Sequence, residues 1–232
     1  MTTDPATTER DRMDLSAMYR ESRERLHDLV RELGDDAKGV PVQACPGWSV
    51  HDVVAHLVAI AEDVLAGRLT GPPTDEQTEA QVARRREKST AASLDEWASL
   101  APGLEDIIGA ARVWPAALDM LSHEHDVRTA IERPGARDVA GIAAGADYLV
   151  HSLRVPTPVT VHVGERTYDR RPKDTPGGTP PIVLETDSFE AFRFRLGRRS
   201  RNQLEAMRWT GDPTPVLDHL CVFGPSLVDI IE

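Results

Sequence analysis

Residues 118–131, LDMLSHEHDVRTAI, and residues 45–57, CPGWSVHDVVAHL, decide how this chain is read. In the first, Asp119, His123 and Asp126 stand at i, i+4 and i+7, so a helix lines them up on one stripe. In the second, His56 shares the inward face of a helix with Val53 and Ile60. A buried imidazole is costly unless its nitrogens are satisfied, and a metal ion is one way to satisfy them. His56, His123 and Asp119 together suffice to hold a divalent ion and leave positions open for a small molecule. His51 and His125 are further imidazoles nearby, but His125 falls about 120° from Asp119 around the helix, so His123 is the better ligand. The alternatives are a hydrogen-bonded core histidine at His56 and a solvated face for the acid–histidine stripe.

On either side of these segments the chain reads as a series of helices. Residues 1–9 are polar and expected to fray. The spacing of Met13, Leu15, Met18, Leu26, Leu29, Val30 and Leu33 predicts one long amphipathic helix from Glu9, stopped by Gly34. Ser49 and Asp52 make a near capping box for the His56 helix, which runs to Gly67, and Trp48 can staple against Val53. Gly71-Pro72-Pro73 breaks the chain, and residues 75–90 read as a polar helix or a partly ordered connection. Helices are expected over Leu94–Arg112, Trp114–Arg133 and Val139–Leu153.

After Pro156 the period changes from helical to alternating. VTVHVGE (159–165) and RTYDRRP (166–172) predict a β-hairpin, and IVLETD (182–187) a short strand. FEAFRFRLGRR (189–199), Gln203–Arg208 and PVLDHLCVFG (215–224) read as helices. The expected fold class is mainly α, with a helical bundle over residues 10–154 and a smaller α+β domain over residues 155–232 behind a flexible stretch 1–9.

With 232 residues, 40% hydrophobic and 28% charged, the chain has the composition of an ordinary soluble domain or pair of domains. Residues 151–232 carry eleven basic and eleven acidic side chains, so the whole net charge of −11 sits before residue 151. That acidity argues against a nucleic-acid partner and against adsorption to an anionic membrane. Cys45 and Cys221 are far apart, which suits a reducing compartment and excludes a disulfide framework. The start MTTDPATTERD is no signal peptide and no apolar run approaches a membrane span, so a cytoplasmic location is expected.

Other chemistry is thinly represented. There is no Ser/His/Asp motif, no glycine-rich phosphate loop and no dinucleotide fingerprint. Cys45 precedes Pro46 and can be a reactive thiol, but it reads better as a small residue packing beneath Trp48. Arg193, Arg195, Arg198, Arg199 and Arg201 form a basic cluster able to pair a substrate carboxylate, although a solvated helix end accounts for most of them.

CPGWSVHDVVAHL followed by DMLSHEHDVRTAIERPG resembles the N-terminal domain of the mycothiol-dependent maleylpyruvate isomerase family, a DinB-like four-helix bundle. LGRRSRNQLEAMRWTGDPTPVLDHLCVFG is similar to that family's small C-terminal domain, which resembles sterol-carrier proteins. The resemblance implies that the family's metal ligands correspond to His56, Asp119 and His123. Asp119 stands where the family usually has Glu, one methylene longer. The family's isomerases use an arginine of the C-terminal domain, and Arg198 in LGRR is the matching candidate for a catalytic residue.

The implied cofactors are a divalent metal, first of all zinc, and mycothiol or a similar low-molecular-weight thiol. Two histidines and a carboxylate also suit iron(II) or nickel. The implied activity is that of a metal-dependent, thiol-dependent transferase or isomerase acting on a small electrophilic substrate. Thiolate adds to an electrophilic carbon; elimination after bond rotation isomerises the substrate, whereas a retained adduct is an S-transfer. Two other readings stand beside it. One is a protein of the same fold that sequesters a small molecule without turnover, and the other is a member that has lost its metal and is structural.

Overall fold

The computed structural model describes residues 9–69 and 71–232, so the expected flexible stretch 1–9 lies outside the described residues except for Glu9. In chain order the elements are α1 (Glu9–Arg12), α2 (Leu15–Leu33), a 3-10 segment (Gly34–Gly39), α3 (Val50–Leu65), α4 (Asp75–Ala83), α5 (Thr90–Ala111), α6 (Trp114–Ala130) and α7 (Ala140–His151). Then come β1 (Val159–Val163), β2 (Arg166–Arg170), β3 (Ile182–Thr186), α8 (Ser188–Arg195), α9 (Arg201–Glu205) and β4 (Arg208–Thr210), with a 3-10 turn over Leu217–His219. The architecture is mainly α with a small α+β part. It divides into two compact units, one spanning Asp14–Gly135, the other joining the segment up to Met13 to Ala136–Glu232. Among the described residues no helix is long and apolar enough to cross a membrane.

The first unit is a four-helix bundle. Helix α2 packs on α5 and α6, α3 packs on the same two, and α4 lies against α3. Leu26, Val54, Leu57, Trp97, Leu104 and Leu121 are among the buried apolar side chains of its core. Trp97 is fully buried, and its indole N–H donates to the Tyr19 hydroxyl at 3.2 Å, which satisfies the polar atom that an apolar core would otherwise strand.

Helix starts follow local chemistry. The Ser49–Asp52 capping box of α3 forms. The single helix expected from Glu9 to Leu33 is instead two: the Asp14 carboxylate accepts from Ala17 N at 3.0 Å and caps α2, so α1 is a separate turn that packs on α7. The polar stretch after Pro73 does form a helix, α4, which begins with its own capping box, Thr74 with Gln77.

In the second unit the strand order is β2-β1-β3-β4, with β1 antiparallel to β2, parallel to β3, and β3 antiparallel to β4. The β1–β2 hairpin closes through Gly164-Glu165, with Gly164 at positive φ in the first turn position. Helix α7, which the sequence reading joins to the bundle, packs along α8. Its Asp147 accepts from the Tyr168 hydroxyl at 2.7 Å, and its Val150 carbonyl accepts from Arg170 Nε at 3.0 Å.

Two expectations for this unit are corrected. PVLDHLCVFG is not a helix beyond its 3-10 turn, because the backbone there pairs with the end of α8: Val222 N donates to the Arg195 carbonyl at 2.8 Å and Ser226 N to the Arg199 carbonyl at 2.9 Å. Three of the five arginines are not a solvated helix end either, although Arg201 is exposed. Arg193 (0% exposed), Arg195 and Arg199 are buried, Arg193 and Arg199 sharing the Glu232 carboxylate and Arg199 also gripping Glu190 at 2.6 and 2.8 Å. Arg195 donates to the carbonyls of Leu149 and Leu220.

Acid should undo both units through their buried carboxylates. Burial alone would raise Glu124 and Glu232, but Arg25 with Ser22 holds Glu124, and Arg193 with Arg199 holds Glu232, below the usual carboxylate range. A depressed carboxyl binds fewer protons when folded than when unfolded. Its contribution is therefore present above the unfolded value near pH 4.3 and lost as pH falls through the folded value. Circular dichroism should show unfolding starting below about pH 4.3, and Glu232→Ala should lower stability in urea at neutral pH by about 3–5 kcal/mol.

Candidate metal centre

Three residues from two helices meet on one side of α6. His56 Nε2 lies 3.6 Å from Asp119 Oδ2, and His123 Nε2 lies 3.4 Å from Asp119 Oδ1. The three donor atoms are all within 4.8 Å of one another. Donors at bond lengths near 2.1 Å around a tetrahedral ion are separated by about 3.4 Å, so these edges have the size a small divalent cation requires. Both imidazoles are buried, while 37% of the Asp119 side chain is exposed, so the set faces solvent at the carboxylate.

The far nitrogen of each imidazole is engaged. His123 Nδ1 is 3.0 Å from Asp126 Oδ2, and His56 Nδ1 is 3.1 Å from Gln81 Oε1. Both partners offer oxygen and so favour N–H at Nδ1, which leaves each Nε2 facing Asp119 as the atom that would turn to a bound ion. Burial would raise the Asp119 carboxyl, but His123 and His56 beside it hold it well below the usual range. Burial likewise opposes charge on His123, yet Asp119 and Asp126 push its pKa well above that of a free imidazole.

The loop before α3 closes over these rings. Trp48 N donates to the Cys45 carbonyl at 3.0 Å across Pro46 and Gly47, and Gly47 takes φ 86°, a type II turn with proline and glycine where that turn wants them. The turn brings Cys45 and Trp48 to the same cluster. The Trp48 ring lies 5.2 Å from the His56 ring and 6.3 Å from the His123 ring, centroid to centroid. Cys45 Sγ is 3.7 Å from Asp126 Oδ2, its nearest acceptor, and 3.8 Å from His123 Nδ1.

The sequence-predicted triad thus comes together, with Asp126 beside it. His51 does not join: its nitrogens face Thr90 Oγ1 and the Arg85 carbonyl, each at 3.1 Å. His125 is buried but belongs to neither of the donor sets found among the described residues, His56–Asp119–His123 and Cys45–His123–Asp126. Arg198 belongs to the other unit, just after α8, where its Nη1 donates to the Leu196 carbonyl at 2.7 Å. Sequence reasoning missed Gln81, and it gave Cys45 and Trp48 packing roles. The Pro-Gly turn signal could have placed those two side by side. Gln81 had a fainter signal, as the polar neighbour of Val82 in a helix with little else to bury.

A sequence profile of the mycothiol maleylpyruvate isomerase N-terminal domain matches residues 19–153, more than half of the chain. The chain belongs to this family. The family match spans the bundle and α7, and so contains His56, Asp119 and His123. Two crystal structures of mycothiol-dependent maleylpyruvate isomerase are similar to it. One, of a mutant, has a TM-score of 0.58 at 13% identity over 82% of this chain and 92% of that one. The other has a TM-score of 0.53 at 16% identity over 83% and 92%. At these identities the likeness speaks for the fold. No curated protein matches the sequence.

The electrostatics of the cluster can be read by NMR. In the metal-free protein the His123 ring should titrate above the ordinary value near 6.5, and Asp119→Asn should bring its midpoint down. The sign for stability follows from the same shift: a raised imidazole stabilises the fold fully below about pH 6.5, and that contribution fades as pH rises through the folded value.

Proposed function

We propose that this protein is a metal-dependent enzyme that uses a low-molecular-weight thiol of the mycothiol type on a small electrophilic substrate. The observation that carries this reading is the convergence of two imidazole nitrogens and one carboxylate, His56, His123 and Asp119, on a point open at the Asp119 edge. Three protein ligands leave a divalent ion room for an outside ligand. When bound, such an ion supplies the charge that favours thiolate over thiol at neutral pH. Zinc suits this donor set best.

The chain's own residues then have distinct tasks. With an ion bound, His56 and His123 would give it their Nε2 lone pairs while Gln81 and Asp126 accept from their Nδ1–H groups. Asp119 brings negative charge and lies at the solvent edge, where a small molecule would enter. Trp48 covers the rings, which keeps water off them. Asp126 can take or return a proton through His123 only at Nδ1, so it positions that ring rather than touching a substrate. Arg198 is proposed to pair a substrate carboxylate, on the strength of the LGRR resemblance. Cys45 and Cys221 are free thiols, and burial pushes the Cys221 thiol up to about 11.

The test is elemental analysis joined to thiol-dependent turnover across classes of electrophile. The purified protein should hold one divalent ion per chain. His123→Ala should lose both the ion and turnover, because two ligands seldom hold a divalent ion against buffer. Cys45→Ser should keep turnover close to wild type, since the nucleophilic sulfur comes from the small thiol. A dead Cys45→Ser with an active His123→Ala would make this a cysteine enzyme instead. Stoichiometric protection of a ligand without thiol consumption would favour the sequestering protein.

A further inference from the structure

The loop that carries Trp48 also carries the first member of a second donor set. Cys45 Sγ lies 3.8 Å from His123 Nδ1 and 3.7 Å from Asp126 Oδ2, and those two atoms are 3.0 Å apart. This set shares the His123 ring with the set built on Asp119 but uses its other nitrogen, since Asp119 Oδ1 faces Nε2 at 3.4 Å.

Each donor is placed by structure that owes nothing to an ion. His123 and Asp126 stand at i and i+3 on α6, 5% and 1% exposed. Cys45 is pinned from both sides. Its N–H donates to the Val42 carbonyl at 3.0 Å, its carbonyl accepts from Trp48 N at 3.0 Å, and Val42 N donates back to the Trp48 carbonyl at 2.9 Å. The cysteine is half-buried, so an ion can reach the sulfur from solvent and find the other two donors behind it.

The separations suit coordination better than they suit a thiol hydrogen bond. Around a tetrahedral ion with bonds near 2.3 Å to sulfur and 2.1 Å to nitrogen or oxygen, sulfur stands about 3.6 Å from each of the other donors. A thiol is a weak hydrogen-bond donor, and 3.7 Å is a long reach for one. The shorter edge between His123 and Asp126 is closed by the ion pair that joins them, and it opens slightly when a metal takes its place.

We propose that Cys45, His123 and Asp126 form a second cation site, one that prefers a thiophilic divalent ion such as cadmium. Thiolate and carboxylate bring two negative charges, which a divalent cation balances. The sulfur favours soft ions over the harder ones that two imidazoles and a carboxylate also accept. Binding forms one bond each from the metal to Sγ, Nδ1 and Oδ2 and releases the thiol proton, with any proton on Nδ1, to solvent. Three protein donors leave a further position to water or to a small thiol. An ion here also ties the turn from Cys45 to Trp48 onto α6, and with it the indole that lies over the His56 and His123 rings. The site uses neither His56 nor Asp119, so it stands whether or not the Asp119 set holds metal.

Cadmium added to the metal-free protein, with no other thiol present, tests this. The first equivalent should give a sulfur-to-cadmium charge-transfer band in the ultraviolet. Its cadmium NMR resonance should couple to the β-protons of one cysteine and the ring protons of one histidine. Cys45→Ser should abolish the band and the cysteine coupling, whereas Cys221→Ser and His56→Ala should keep both. Asp126→Asn should weaken cadmium binding at least about 10-fold, the low end of what losing even an outer partner of a ligand costs. The wild-type couplings give a reading that does not depend on that variant folding.

Cadmium that fails to bind, or that couples to Cys221 or to histidines alone, overturns the second site. So does an Asp126→Asn protein that binds cadmium as tightly as wild type. Failure of the Asp119 set reads out separately, as a Cys45→Ser protein that takes up no zinc.

Discussion

From His123 to Asp126 the helix α6 takes four polar side chains out of water in succession, and the bundle has to satisfy them on more than one side. Glu124 receives a two-pronged grip from Arg25 at 2.8 and 2.8 Å and a hydroxyl from Ser22 at 2.7 Å, both on α2. His123 and Asp126 turn the other way, toward His56 and the Cys45–Trp48 turn. Removing one partner of a buried charge costs about 3–5 kcal/mol, several times the roughly 1 kcal/mol of a helix cap. A rotation of α6 by a single residue would strand Glu124 and Asp126 together. Its register is therefore set by charge pairing rather than by an apolar stripe, which a helix buried on nearly every side does not possess.

The same device recurs in the second unit. Arg193 and Arg199 are withdrawn from solvent onto Glu232 and Glu190, and the tail after Leu220 is laid along the end of α8 by backbone pairs with Arg195 and Arg199. A carboxylate shared by two guanidinium groups constrains geometry more than a surface pair does, because each fork has a fixed direction. Much of what looks in the sequence like a basic patch is thus internal structure.

This difference marks the limit of what the residues disclosed. Asp119 and His123 were legible as a pair because i, i+4 spacing is a property of any helix, and His56 because it interrupts an apolar face. The caps of α3 and the β1–β2 hairpin were legible because their signals are local. The burial of Arg193 was not, since its carboxylate partner lies 39 residues downstream. Gln81 escaped for the same reason: its importance comes from facing Asp63 and His56, which are distant in sequence and belong to another helix. The split of the first helix at Asp14 was missed although its signal was local, because the apolar spacing runs straight through it.

The aspartate at position 119, shorter than the glutamate usual in the family, finds an explanation in these contacts. Each of its oxygens faces a different imidazole, Oδ1 toward His123 at 3.4 Å and Oδ2 toward His56 at 3.6 Å, so the short arm already spans the two rings. Asp119 and His123 stand at i and i+4 on one helix, which makes them a two-donor unit whose spacing is fixed by the helix itself. His56 comes from a second helix, α3, and its Nδ1 lies 3.1 Å from Gln81 Oε1 on α4. A longer acid would push the common point away from α6 and demand that His56 retreat, which the Gln81 contact opposes. The short acid and the anchored histidine are therefore matched to each other.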